Sequence, residues 1–241
     1  MATAPPVFAI DENEVHVWRA RLDGAVAKAQ HHEQTLDEDE RKRADHFARA
    51  VDRQRFVVAH GILREIIGSY LRTEPQLLQF DRSCRICGGP HGKPVLRIPL
   101  ANIRFNISHT AGLCVLAIAQ GREVGIDVEE IREEVDIASI AKKFFTPQEH
   151  EALFRLPAGA RRSAFFARWV RKEAYAKALG KGLTLPFDQF QISVEAGESW
   201  IEASGDAVKT PRWSLVEVFA GPGYAAALAI EGPPCKLRCG H

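Results

Sequence analysis

Two stretches of this chain repeat each other at a fixed spacing. Arg104-Phe-Asn-Ile-Ser-His-Thr-Ala-Gly-Leu-Cys-Val-Leu-Ala-Ile-Ala-Gln-Gly121 reads as strand, turn and strand. Leu215 to Gly232 has the same form, with Phe105 on Val216, Gly112 on Gly223 and Gly121 on Gly232, all 111 apart. The helical stretches ending at Gly68 and Gly180 lie 112 apart, and Val15-His-Val-Trp falls on Ile126-Asp-Val-Glu at 111. Three elements sharing one spacing mark a duplicated half. The expected architecture is therefore α+β: two pseudo-equivalent α/β lobes, residues 1–120 and 121–232, with a cysteine-containing tail over 233–241. At 241 residues each lobe has the size of a small domain.

Each half reads as a strand, then helices, then a terminal hairpin. Thr35-x-x-Glu38 is a capping-box pattern that predicts a helix start after Thr35, and a second helix is expected from Asp52 to about Leu71. Thr146-Pro147-Gln148-Glu149 combines N-cap, N1 proline and N3 glutamate. A long helix is expected from Ser163 to Leu179, stopped by Gly180, with strands near 188–194, 212–219 and 224–230.

The longest apolar runs, Leu113–Ala119 and Tyr224–Ile230, have seven residues each, far short of the ~20 a membrane span needs. Thirty-two basic against thirty-one acidic residues leave a net charge of +1, which supplies no field drawing the molecule to nucleic acid or membrane. MATAPPVFAI has no basic segment leading into an apolar one, so a cytoplasmic protein is expected.

In Val124-Gly-Ile-Asp-Val-Glu129 the strand period puts Val124, Ile126 and Val128 on one face, Asp127 and Glu129 on the other. Paired carboxylates suit a hard cation such as Mg²⁺ held together with phosphates; a solvated strand face is the alternative. On the long helix Phe166, Trp169, Val170, Glu173 and Lys177 share one stripe, so an acid and an ammonium interrupt an apolar face. Glu173 could be a third ligand and Lys177 a phosphate partner, or the two could be a surface pair. Ser108 and His109 end a strand at a turn, and Arg43, Arg55 and Lys93 are candidate phosphate contacts.

Cys84-x2-Cys87-Gly-Gly-Pro-His91 looks like half a zinc knuckle, and Cys235-x3-Cys239-Gly-His241 could supply the other half. A structural zinc on Cys84, Cys87, Cys235 and Cys239 is one reading, free thiols the other. With the arginine content, the same pairs would also suit a zinc-ribbon nucleic-acid module, although that class calls for a concentrated basic face.

Phe105-Asn-Ile-Ser-His109, Val124-Gly-Ile-Asp-Val-Glu129, Trp169-Val-Arg-Lys-Glu-Ala-Tyr-Ala-Lys177, Gly180-Lys-Gly-Leu183 and Gly92-Lys-Pro94 together resemble, in order and spacing, the 4′-phosphopantetheinyl transferases of the surfactin-synthetase-activating (Sfp) type. The resemblance spans roughly residues 35–232. It implies a monomeric pseudo-dimer with coenzyme A in the cleft between lobes. It further implies Mg²⁺ on Asp127, Glu129 and Glu173, and coenzyme contacts from Lys93, Ser108, His109, Asp127 and Lys177, with Arg43 and Arg55 near the 3′-phosphate. The implied reaction moves 4′-phosphopantetheine to a serine of an apo acyl or peptidyl carrier protein and releases 3′,5′-ADP, with Glu173 and Lys177 as catalytic groups. Where family members often carry a lysine on an early helix, this chain has Glu40, and the cysteine segments are not core features of the family. Phe144-Phe145 would offer the carrier an apolar contact if exposed, and otherwise belongs to the core.

The two halves divide this chemistry. Positions 111 or 112 before Asp127, Glu129 and Glu173 hold His16, Trp18 and Gly61, and positions 111 after Ser108 and His109 hold Phe219 and Ala220. One asymmetric site at the lobe interface is expected.

Overall fold

The structure, a computed structural model, describes residues 8–24, 26–84, 87–97, 102–195, 198–203 and 213–240. The first half contains β1 (Glu14–Arg21), α1 (Val26–Thr35), α2 (Glu38–Asp45), α3 (Ala50–Leu71), β2 (Phe80–Asp81), β3 (Val95–Leu96), β4 (Ile103–Thr110) and β5 (Leu113–Gln120). The second contains β6 (Val124–Glu130), α4 (Ile137–Phe144), α5 (Pro147–Arg155), α6 (Ala158–Leu179), β7 (Phe190–Glu195), β8 (Glu198–Ala203), β9 (Trp213–Glu217) and β10 (Tyr224–Glu231), with β11 (Lys236–Gly240) last. The main sheets run β11-β1-β5-β4 and β6-β10-β9-β8-β7. The orders β1-β5-β4 and β6-β10-β9 correspond, antiparallel throughout, and each sheet's half carries one 22-residue helix, α3 or α6. The fold class is α+β.

Alternation along the strands explains the layering. Val15, Val17, Val115, Ala117, Val124, Ile126, Val128 and Leu228 point inward from both sheets into one shared core. On the outer faces, Phe105, Leu116 and Ile118 meet Leu63 and Ile67 of α3, while Leu215, Ala227 and Ala229 meet Val170, Ala174 and Ala178 of α6. The run Leu113–Ala119 is apolar throughout because both faces of β5 are covered. Among the described residues no helix is long and apolar enough to cross a membrane.

Helix ends follow local chemistry, and the shifts from expectation are at helix starts. The capping box of α2 is Asp37 with Glu40, Asp37 Oδ1 accepting the Glu40 amide at 2.8 Å. Thr35 instead closes α1, its hydroxyl donating to the His32 carbonyl at 2.7 Å. Two overlapping Thr/Asp-x-x-Glu patterns compete there, and the one whose glutamate is buried prevails. Thr146 and Glu149 form the expected box at α5, and Gly180 ends α6 at φ 68°. Helix α6 starts five residues ahead of Ser163, at Ala158 behind Pro157, and β8 had no sequence expectation. Residue 212, expected to begin a strand, and His241 lie outside the described residues. Phe145 is buried and stacks on Phe165, and Phe144 packs edge-on against Trp169 and Phe187, so this pair belongs to the core and is no carrier contact.

Gly125 sets how closely the second half's strand and helix approach. A Cβ there would come to 2.0 Å from the Ala174 carbonyl and 2.4 Å from the Ala178 amide, so β6 and α6 touch backbone to backbone. Small residues on both sides permit that approach, and it sets Asp127 and Glu129 beside Glu173 and Lys177. Gly125→Ala is expected to lose about 1–3 kcal/mol in a denaturant titration, the order of an overpacked contact, and to slow the protein's chemistry as the helix moves off. Unchanged stability would show the contact to be slack.

Candidate active site

Strands β4 and β6 are edges of different sheets, and polar side chains join them where a backbone ladder would otherwise run. Asn106 Oδ1 accepts the Ile126 amide at 2.9 Å, and Ser108 Oγ accepts the Val128 amide at 3.4 Å. Thr110 donates its hydroxyl to Glu129 Oε2 at 3.4 Å. Asn106, Ser108 and Thr110 share one face by the strand period, while Phe105, Ile107 and His109 take the other.

Asp127 lies at the centre of this seam, 3% exposed. Its Oδ1 accepts from the Ser108 hydroxyl at 2.9 Å and from Lys177 Nζ at 2.6 Å, and Lys177 also donates to Ser108 Oγ at 2.7 Å. Its Oδ2 is buried without a hydrogen-bond partner. Burial, then the Asp127 charge, raises the Glu129 carboxyl above its ordinary range. Burial, then Asp127, pushes Glu173 up to about 7, with Glu129 adding to the effect and Lys177 opposing it. Three carboxylates thus share one field with one ammonium beside them. An orphaned buried oxygen and two acids reluctant to ionise describe an unneutralised negative site, and its all-oxygen donors fit a hard divalent cation. The acids stand apart rather than clenched: among the described residues, the trio with ligand atoms all within 4.8 Å of one another is Cys84, Cys87 and His91.

His109 faces the other way, lining a cavity of about 490 Å³ with Arg43, His46, Phe47, Phe56 and His60. Crowding by the protein, then the Lys177 and Arg43 charges, lowers its pKa, so the ring is neutral near pH 7. The Arg43 guanidinium lies 5.1 Å over the Phe56 ring, an aromatic and cationic wall suited to a flat anionic ligand. Glu40 is not in that wall. It is buried beneath it, accepting from Arg64 Nε at 2.6 Å, bonded to His60 Nδ1 at 2.9 Å and accepting from Arg82 at 3.1 Å. Burial alone would raise its pKa, but His60 and Arg64 outweigh that and hold the acid well below the usual carboxylate range. Arg64, fully buried, also bonds Asp37 and the Pro75 and Leu78 carbonyls. Where a lysine was expected, the helix carries an internal acid that ties α2 to α3, and Arg43, one turn on, reaches the cavity.

Other sequence candidates lie elsewhere. Lys93 Nζ donates to Glu123 at 2.6 Å and to the Val124 and Ala178 carbonyls at 2.8 and 2.9 Å, in a second cavity with Gly180 and Lys181. It ties the loop before β3 to the second half of the chain. Arg55 is held by Asp23 at 2.8 and 3.1 Å, outside the Arg43 cavity. The four-cysteine zinc set is not assembled: Cys239 sits on β11, opposite Val17 of β1, and Cys235 packs at the rim of the shared core. The open edge of β1 takes up the tail as a strand, which carries those cysteines away from Cys84 and Cys87. The zinc-ribbon reading loses its frame with them.

Asn106, Thr110 and Gly125 were not among the sequence candidates. The polar residues at 106, 108 and 110 alternating inside an apolar strand were the available signal; the partner strand was not.

Comparisons with known proteins find one family across both halves of the chain. A model of the 4′-phosphopantetheinyl transferase superfamily matches residues 123–229, and one of the 4′-phosphopantetheinyl transferase N-terminal region matches residues 24–121. The 4′-phosphopantetheinyl transferase HetI of Nostoc sp. is 36% identical over 230 residues, covering 95% of this chain and 92% of the relative. The transferase Sfp of Bacillus subtilis is 27% identical over 199 residues, covering 82% and 83%. A solved holo-(acyl-carrier-protein) synthase of Bacillus anthracis in complex with CoA (3′,5′-ADP) aligns to 46% of this chain and 96% of its own, at 22% identity and a TM-score of 0.40.

Proposed function

The chain belongs to the 4′-phosphopantetheinyl transferase superfamily, in its Sfp type, and from that premise we propose that it moves 4′-phosphopantetheine from coenzyme A to a serine of an apo acyl or peptidyl carrier protein. The observation that carries the mechanism is the unpartnered Asp127 Oδ2 between two acids of raised pKa. Asp127, Glu129 and Glu173 would hold Mg²⁺, which supplies charge neutralisation for the coenzyme's pyrophosphate. The cavity of Arg43, Phe56 and His109 would take the nucleotide end, with the aromatic ring beside the base and the guanidinium beside phosphate.

Glu173 would accept the proton of the carrier serine, directly or through a water. The serine oxygen bonds to the β-phosphorus, the bond from that phosphorus to the bridging oxygen breaks, and 3′,5′-ADP leaves with the electron pair. Lys177, fixed by Ser108 and Asp127, places its ammonium where phosphate charge develops. Because Ser108 and His109 come from one half and the acids from the other, a single chain is sufficient.

Incubation with coenzyme A, Mg²⁺ and apo carrier proteins is expected to add one phosphopantetheinyl group to the carrier, read by intact mass spectrometry. No mass gain on acyl and peptidyl carriers alike, with folded enzyme, would overturn the reading.

A further inference from the structure

We infer that Cys84, Cys87 and His91 form a zinc site separate from the seam acids. Two thiols and an imidazole bring their ligand atoms within 4.8 Å of one another, with Cys87 Sγ 2.9 Å from His91 Nε2. Ligands on tetrahedral zinc stand about 3.3–3.8 Å apart, so small adjustments close the set around an ion. Soft sulfur with imidazole selects zinc, as the all-oxygen seam selects a hard cation.

The backbone is already shaped for this. The Cys84 amide donates to the Gly89 carbonyl at 2.8 Å, the Gly88 amide donates to the Cys84 carbonyl at 2.8 Å, and Gly88 takes φ +73°. That turn folds the chain back so that the Gly89 amide donates to Cys87 Sγ at 3.4 Å. The contact fixes where the Cys87 sulfur points, towards His91. The Gly92 amide then donates to the Arg82 carbonyl at 2.7 Å, and a Cβ at Gly92 would stand 2.5 Å from the Ser83 carbonyl, which closes the loop at its base.

Binding replaces the two thiol protons, released to solvent, with two sulfur–zinc bonds and adds one from the imidazole; the fourth position is left to water. Gly92 connects the site directly to Lys93 and its contacts with Glu123, Val124 and Ala178. The ion therefore braces a loop that ties the two halves, and its loss lowers stability before it touches chemistry.

The test uses the full chain, expressed with added zinc and purified without chelator. Elemental analysis is expected to find about one zinc per chain. Cys87→Ser and His91→Ala, both at exposed positions where folding survives, should each fall well below half of that, and Cys235→Ser with Cys239→Ser should not. Cobalt(II) in place of zinc should give thiolate charge-transfer absorption in the wild type and lose it in Cys87→Ser. A chelator should lower the melting temperature of the wild type and leave Cys87→Ser unmoved. Substoichiometric zinc after incubation with equimolar Zn²⁺, or wild-type zinc in the Cys87→Ser/His91→Ala double variant, overturns the site.

Discussion

Glu129→Gln is expected to reduce carrier modification by about 10²–10³-fold or more, the order lost with one preorganised charge-stabilising group, while leaving the metal-free fold at least as stable as wild type. The two effects run in opposite directions for one reason. Burial and the nearby Asp127 make a charged Glu129 unfavourable in the empty site, so removing that charge relieves repulsion. A residue kept for function shows this combination; one kept for structure loses stability when changed. Asp127→Asn should lose as much activity, but with a cost in stability, because Lys177 and Ser108 both depend on its Oδ1. Single-turnover transfer measured across a Mg²⁺ titration, with thermal melts of the metal-free variants, separates these cases. Transfer within a few-fold of wild type in Glu129→Gln would remove it from the ligand set.

Glu173→Gln keeps the side chain's shape and removes its proton affinity, so the chemical step should fall by the ~10²–10⁴ that a positioned general base contributes. Its pH signature is separate from activity. The folded carboxyl titrates at about 7, above its unfolded value of 4.5, so the native state holds the proton more tightly than the unfolded chain. The stability this provides is complete below about 4.5 and is lost as pH rises through about 7. In metal-free wild type, stability should therefore decline over that window, and in Glu173→Gln the decline should be smaller. Lys177→Ala should slow transfer while leaving Mg²⁺ affinity near wild type, since an ammonium cannot ligate a cation. Near-normal turnover in both variants would reduce the pair to a structural contact.

The acids and the ammonium were legible because each lies on an element whose period is plain. Asp127 and Glu129 alternate with buried valine and isoleucine, and Glu173 and Lys177 interrupt an apolar helical stripe. The Thr146 cap and the Gly180 stop were legible because both depend on contacts within one turn of helix. Lys93, Arg55 and Glu40 were not, since a charged residue's partner is chosen across the fold. Asp23, Glu123 and Arg64 lie 32, 30 and 24 residues away from the groups they hold.

Local periodicity and the repeat at 111 determined the α+β class, the composition of the strands and helices, and the residue types of the candidate site. Only the tertiary structure decided which strand Asn106, Ser108 and Thr110 face, that the tail's cysteines go to the edge of β1 while Cys84 and Cys87 close on His91, and that one Asp127 oxygen is left unpartnered. The physical reason is the range of the forces involved. Alternation and caps are settled by neighbours within a few residues, whereas edge pairing, burial of charge and the summed field of three acids depend on surfaces that meet only when both halves have folded.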